Sequence, residues 1–331
     1  MKIVKWLAVF AIVLGLVVVA ILFHFDKKVQ QPLNLTEATL YQVKVGTSAK
    51  GLLNRLKEQG ILADVIGLKI RLKLVPELAK IKAGTYELLP SMNGLDLLEL
   101  FASGKEMQFS ISLIEGLNWR EWLSALKSHP QISFNDDFNQ QLANLTATLP
   151  EKSIEGYLLP DTYYFVAQTA AIDIIKRAHL SMQQYLDLAW QNRAFDLPYA
   201  SAYEGLIMAS IIEKETGVAQ ERPRISGVFV NRLNLNMRLQ TDPTIIYGMG
   251  DSFDGDIRRK DLKTPTPYNT YVIKGLPPTP IAMPSKLAID AAFNPMITEE
   301  LYFVSKGDGS HKFSTTLQEH NLAVRQYQLK K

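Results

Sequence analysis

The chain contains no cysteine, so disulfides and thiolate metal sites are excluded. Its five histidines, His24, His129, His179, His311 and His320, fall at no ligand spacing; no metal centre is expected and no cofactor is implied. Charge of one sign is scarce as well, 36 Lys and Arg against 33 Asp and Glu leaving a net charge of +3. With no basic stripe interleaved with aromatics, nucleic acid is excluded as a partner. No internal repeat is visible. What remains, 47% hydrophobic and 21% charged residues, describes an ordinary globular protein and not a disordered one.

One long hydrophobic run is present. Trp6–Phe23 reads WLAVFAIVLGLVVVAILF, with Lys2 and Lys5 before it and Lys27 and Lys28 after it. About 20 apolar residues at about 1.5 Å each span a bilayer core. A cleaved signal would carry about 7–15 apolar residues and a small-residue cleavage site, which AILFHF does not offer. Residues 1–25 are therefore expected to be a cytoplasmic tip and a single transmembrane anchor. Lysines on both sides leave its orientation undecided by charge.

Residues 26–38 are polar and read as a linker. Over 39–108, TLYQVKV alternates like a strand, and SAKGLLNRLKEQGIL has helical spacing that stops at Gly60. DVIGLKIRLKLV fits helix or strand, KAGTYELL reads as a returning strand, and SMNGLDLLELFASG as a capped helix. That order predicts a small LysM-like subdomain. Residues 109–331 are expected to form a larger mixed α+β domain. QFSISLIEGL opens with strand alternation; NWREWLSAL, IDIIKRAHLSMQQYLDLAWQNRAF, YEGLIMASIIEKET and RPRISGVFVNRLNL read as helices. ELYFVSK is a strand candidate and TTLQEHNLAVRQYQ a closing helix. The stretch 242–284, rich in Pro, Gly, Thr and Tyr, reads as loops with short strands that form the site.

SIIEKETG, Ser210–Gly217, carries carboxylates out of an apolar run. On a helix whose apolar face is Gly205, Met208, Ala209 and Ile212, Glu213 and Glu215 lie roughly 200° apart, so they cannot converge on one cleft. Ordinary glycosidases place two carboxyls beside the scissile bond; here at most one reaches a given substrate. A glutamate held against apolar side chains is poorly solvated when ionised, so its pKa rises and it can give a proton to a leaving oxygen. The plainer alternative is that both are surface or ion-paired residues, with Lys214, Arg222 or Arg224 as partners.

LQTDPTIIYG holds an Asp-Pro that favours a turn and exposes Gln240, Thr241 and Asp242. TPYNTYVIKGLPPTPIAMPS adds Tyr268, Asn269 and Tyr271. Amides, hydroxyls and aromatic faces suit a groove for a neutral sugar polymer; equally, the tyrosines can pack under a long loop. SALK, Ser124–Lys127, matches the S-x-x-K of penicillin-recognising enzymes, but no S-D-N follows and Lys263–Pro265 is KTP. It is a chance match.

EGYLLPDTYYF, ASIIEKETG, VFVNRLNLNMRLQTDPTIIYGMG, TPYNTYVIKGLPPTPIAMPS and HKFSTTLQEHNLAVRQY together resemble the successive motifs of the YceG-like proteins, the endolytic murein transglycosylases. The likeness runs from the anchor to the last helix. It implies a single-pass inner-membrane protein with a periplasmic body, a LysM-like subdomain and a catalytic domain. It implies cleavage within nascent peptidoglycan strands between N-acetylmuramic acid and N-acetylglucosamine, leaving 1,6-anhydro-N-acetylmuramic acid ends and limiting chain length. Peptidoglycan synthases, the penicillin-binding proteins, are the implied partners. The resemblance assigns the acid to the first glutamate of EKET, Glu213, and the groove contacts to Gln240, Thr241, Asp242, Tyr247, Tyr268 and Asn269. GLPPTPIAMPS departs from the family pattern near Thr279, Met283 and Ser285, which touches that loop's conformation.

One carboxyl suffices if the muramic acid's own C6 hydroxyl attacks the anomeric carbon. Glu213 would protonate the departing oxygen and then accept the hydroxyl proton, with Glu215 structural. Two other readings stay open: a non-catalytic peptidoglycan-binding scaffold tethered to a synthase, and a hydrolase using water with Asp242 or Glu221 as base.

Overall fold

The computed structural model describes residues 2–329; within the first helix the side chains at 2–5, 7, 8, 18, 21 and 22 also lie outside the described residues. The chain packs as two compact units. One holds the residues up to Phe109 together with Phe165–Ala167, the other Ser110–Tyr164 and Gln168 onward.

The small unit begins with the helix Lys2–Val29. Its expected anchor segment falls partly on side chains outside the described residues, and among the described residues no helix is long and apolar enough to cross a membrane. The end of this helix packs on the helix Ile66–Leu74, the stretch whose periodicity fitted helix or strand. The crossing is close because Gly67 has no Cβ: one built there would stand 2.8 Å from Val29 Cγ2 and 2.9 Å from the Phe25 carbonyl oxygen. Lys28 adds an ion pair to Asp64 at 2.9 Å. Strands Thr39–Val43 and Gly84–Leu88 pair antiparallel, Thr39 opposite Leu88 and Val43 opposite Gly84. Between and after them come the helices Ala49–Glu58 and Gly94–Ser103. The first is capped by Ser48 and ends before Gly60 at φ +74°; the second carries a full capping box from Asn93 and Asp96 and ends at Gly104 in the left-handed region. Leu52, Leu56, Tyr86, Leu88, Leu97, Leu98 and Phe101 are fully buried between them.

In the large unit the helix Ala202–Glu215 is the centre, packed by the helices Ala171–Gln191, Arg222–Asn234 and Lys286–Phe293. The single apolar face expected for it is corrected: Gly205 through Glu213 are buried on every side. A helix surrounded by helices has no solvent face to keep polar. Gly205 permits the tightest approach, since a Cβ there would lie 2.3 Å from the Phe293 ring. Around this core, Ile132–Ser133 and Thr169–Ala170 form a short parallel pair, and Tyr302–Ser305 and His311–Ser314 an antiparallel one. The mixed α+β class expected from the pattern is the architecture present.

The reading of 242–284 as loops with short strands is also corrected. Among the described residues it contains no strand; it opens with the helix Asp242–Met249 and continues in turns. Pro243 stands in the first helical turn, where a missing N–H costs nothing. An Asp-Pro that signals a turn thus starts a helix here.

Candidate functional site

Two carboxylates two positions apart leave the end of the central helix on different sides, as helical geometry requires. Glu213 turns toward the helix Lys286–Phe293. Its Oε1 accepts from Arg222 Nη2 at 3.0 Å; its Oε2 accepts the Ser285 backbone N–H at 2.9 Å and the Ser285 hydroxyl. Ser285 is the N-cap of that helix, so Glu213 braces a helix start with Arg222 balancing its charge. Both side chains are almost wholly buried, 4% and 8% exposed. Of the three cations considered as partners, Arg222 is the one that pairs with it.

Glu215 faces the other way, into a cavity of about 500 Å3 lined also by Arg232, Gln240, Thr241, Asp242 and Tyr271. Its Oε1 accepts from the Thr241 hydroxyl. Burial pushes this carboxyl up to about 7; the negative charge of Asp242 adds to the rise, while the Thr241 bond and Arg232 work against it. The wall opposite is built with care. Gln240 takes a left-handed φ of +54°, costly for a residue with a Cβ. Its N–H donates to the Thr270 carbonyl at 3.2 Å, the Thr241 N–H to the Thr270 hydroxyl at 3.0 Å, and the Tyr271 hydroxyl to Asp242 at 2.7 Å. Arg232 is spent on backbone: Nε donates to Leu301 at 2.6 Å and Nη1 to Leu239 at 2.8 Å.

The remaining expected contacts lie elsewhere. Tyr247 borders a second cavity of about 600 Å3 and donates to Glu155 at 3.1 Å. Its ring packs on Tyr268 at 5.0 Å, and the Tyr268 hydroxyl meets that of Thr279 at 2.8 Å. Asn269 is 1% exposed and holds the loop together: its Nδ2 donates to the carbonyls of Asp261 at 2.9 Å and Thr264 at 2.8 Å, and its Oδ1 accepts from the Tyr271 N–H at 3.0 Å.

Glu155 was not singled out by residue chemistry. It is 5% exposed, accepts the Trp119 N–H at 3.0 Å, and is pushed up to about 7. Burial dominates, with the bonds from Trp119 and Tyr247 opposing it. His311 and His320 also border the Glu215 cavity. Their positions at no ligand spacing concealed them; only the run HKFSTTLQEHNLAVRQY pointed there.

A buried helix ending in a perturbed glutamate, hydrogen-bonded to a polar wall beside an open cavity, is an arrangement able to exchange a proton with a polar ligand. The chain belongs to the YceG-like family, which it matches over residues 41–326. A curated relative from Bacillus subtilis, an endolytic murein transglycosylase, is 29% identical over 334 residues, covering 92% of this chain and 89% of its own. A Streptococcus pneumoniae protein of the same description is 28% identical over 281 residues and 75% of this chain; the chain spans about half of that longer protein, 51%. The crystal structure of a YceG-like protein from Listeria monocytogenes aligns with a TM-score of 0.52 at 29% identity, over 86% of this chain and 99% of that one.

Proposed function

We propose that this chain is an endolytic lytic transglycosylase acting on peptidoglycan, and that Glu215, not Glu213, is its proton donor. The observation that carries the reading is the Glu215 carboxyl, raised to about 7 and opening on a cavity whose wall is Gln240, Thr241 and Asp242. Near neutral pH such a group is half protonated and can give its proton to a leaving glycosidic oxygen. Glu213 has both oxygens occupied and is not among the residues lining that cavity, which supports giving the donor role to Glu215.

The substrate is the β-1,4 bond between N-acetylmuramic acid and N-acetylglucosamine within a nascent strand. Glu215 protonates the departing oxygen, the C6 hydroxyl attacks the anomeric carbon, and the new end is 1,6-anhydro-N-acetylmuramic acid; cleavage limits strand length. The relatives described as endolytic murein transglycosylases support this class of reaction. Gln240 and Asp242 contact the sugar from the wall. Tyr247 serves the second cavity, and Asn269 acts through the loop it holds.

The helix Lys2–Val29 serves as a single-pass anchor in the inner membrane with the two units in the periplasm. Support comes from the side chains it exposes, among them Trp6, Phe10, Ile12, Leu14, Leu16, Val19 and Phe23. The small unit is read as LysM-like, with a peptidoglycan synthase as the membrane neighbour.

Mass spectrometry of purified murein digested with the full chain tests the reaction. Anhydro ends, lighter by one water than reducing ends, are expected, and Glu215→Gln should abolish them while Glu213→Gln retains them. Reducing ends would move the chemistry to a hydrolase with Asp242, which shares the cavity, as base. Binding without new ends would leave a scaffold.

A further inference from the structure

In the small unit, the helix Ile66–Leu74 carries Lys69, Arg71 and Lys73 and no carboxylate. It lies against the end of the first helix, where Gly67 meets Phe25 and Val29. Further along, Ile70, Arg71 and Leu74 share the wall of a cavity of about 430 Å3 with Val19 and Phe23. Val19 precedes Val29 by about 15 Å of helix, so the shorter helix runs back beside the last apolar turns of the longer one. Its outer side chains include Ile66 and Leu74, 52% and 64% exposed. Cations and bare apolar residues on one short helix, with no acid among them, are the composition of a helix that lies at a membrane surface.

Arg71 is the group on this wall that lacks an answer from the chain. Its Nε is buried and, among the described residues, has no hydrogen-bond partner. A buried donor left unpaired destabilises the fold, and an acceptor from outside the chain would satisfy it. The neighbouring carboxylates are engaged elsewhere. Asp64 pairs with Lys28 at 2.9 Å and Glu77 with Lys80 at 2.6 Å. Asp26, on the cavity wall, accepts from Gln30 Nε2 at 3.1 Å, and the exposed Lys27 beside it offsets its charge. The balance around the cavity is therefore positive, above a floor of hydrocarbon.

We infer that this cavity seats an anionic phospholipid, its phosphate on the Arg71 guanidinium and an acyl chain along Val19, Phe23, Ile70 and Leu74. The inference rests on the anchor reading of the first helix and is independent of which glutamate gives the proton. A guanidinium donates two parallel N–H bonds to phosphate oxygens, so it supplies both charge and orientation. Lys69 and Lys73 add attraction to an anionic surface without fixed geometry. Continuity argues that the occupant is a lipid. The cavity's apolar wall extends the side chains that the first helix exposes, from Trp6 to Phe23, and Arg71 lies where that run ends. At that level a bilayer passes from acyl chains to phosphates. The seat ties the small unit to the membrane surface at a second point beside the anchor.

The full chain in nanodiscs of mixed phosphatidylcholine and phosphatidylglycerol tests this. After release into mild detergent, native mass spectrometry should find phosphatidylglycerol retained in preference to phosphatidylcholine. Arg71→Gln should cut that retention about fivefold, the effect of one cation at a membrane surface, and Arg71→Lys should restore part of it. Lys50→Gln, which removes an exposed cation from the helix Ala49–Glu58, should change nothing. Should Arg71→Gln fail to fold, as judged by circular dichroism, the exposed Lys73→Gln is read in the same way. The chain has no cysteine, so Leu74→Cys can carry a single polarity-sensitive fluorophore. In nanodiscs its emission should shift to the blue and be quenched by spin-labelled phosphatidylglycerol. Equal retention of the two lipids, retention indifferent to Arg71→Gln, or a fluorophore that stays in water overturns the lipid seat while leaving the anchor. A chain that does not enter nanodiscs overturns the anchor, and the seat with it.

Discussion

At Glu215 and Glu155 the folded chain holds a proton more tightly than an exposed glutamate would. Both carboxyls are raised from an ordinary 4.5 to about 7. The stability this contributes is fully present below about pH 4.5 and is lost as pH rises through about 7, because the folded state binds the extra protons in that window. Urea unfolding across that range should therefore show falling stability toward neutral pH, with a smaller fall in Glu155→Gln. Murein cleavage should decline on the alkaline side of about pH 7 as Glu215 loses its proton, and Glu213→Gln should keep that limb. Glu213 is paired with Arg222 and holds Ser285. Glu213→Ala leaves Arg222 buried without its partner and should cost about 3–5 kcal/mol, read from denaturant midpoints. That two such glutamates point apart was legible from their spacing. Which one meets a cavity was not, since Arg222 and Ser285 are 9 and 72 residues from Glu213 along the chain.

The elements with strong local signals form where the pattern places them. Capping boxes start the helices Trp119–Ser128 and Leu317–Tyr327, and Pro223 sits in the first turn of Arg222–Asn234. One reading left open was decided by packing, and another gave way. The stretch at 66–74 became a helix because it lies along Phe25 and Val29, and 242–249 became a helix although its Asp-Pro suggested a turn. The loop after it depends on Asn269. Asn269→Ala removes the donor to two carbonyls and should speed proteolysis between 255 and 267, with the helical content unchanged by circular dichroism. Gly205→Ala drives a methyl into the Phe293 ring and should destabilise the large unit by about 1–3 kcal/mol, as overpacking does.

For the whole molecule, the anchor reading makes the clearest demand. The full chain should stay with the membrane fraction through alkaline carbonate extraction, and charges placed in the apolar run, Leu14→Asp with Val17→Asp, should release it. Release of the unaltered chain would remove the anchor. By itself the sequence determined the apolar first segment, the α+β class and a helix that carries carboxylates out of a hydrophobic stretch. Each depends on residues near one another in the chain, through periodicity, capping and composition. The tertiary structure alone decided that Arg222 and Ser285 occupy Glu213, that Thr241 and Asp242 close around Glu215, and that Glu221 seats His311 on the same cavity. Those assignments depend on desolvation and on polar groups brought together across 90 residues for His311 and Glu221, and no local pattern encodes which side of a buried helix will face water.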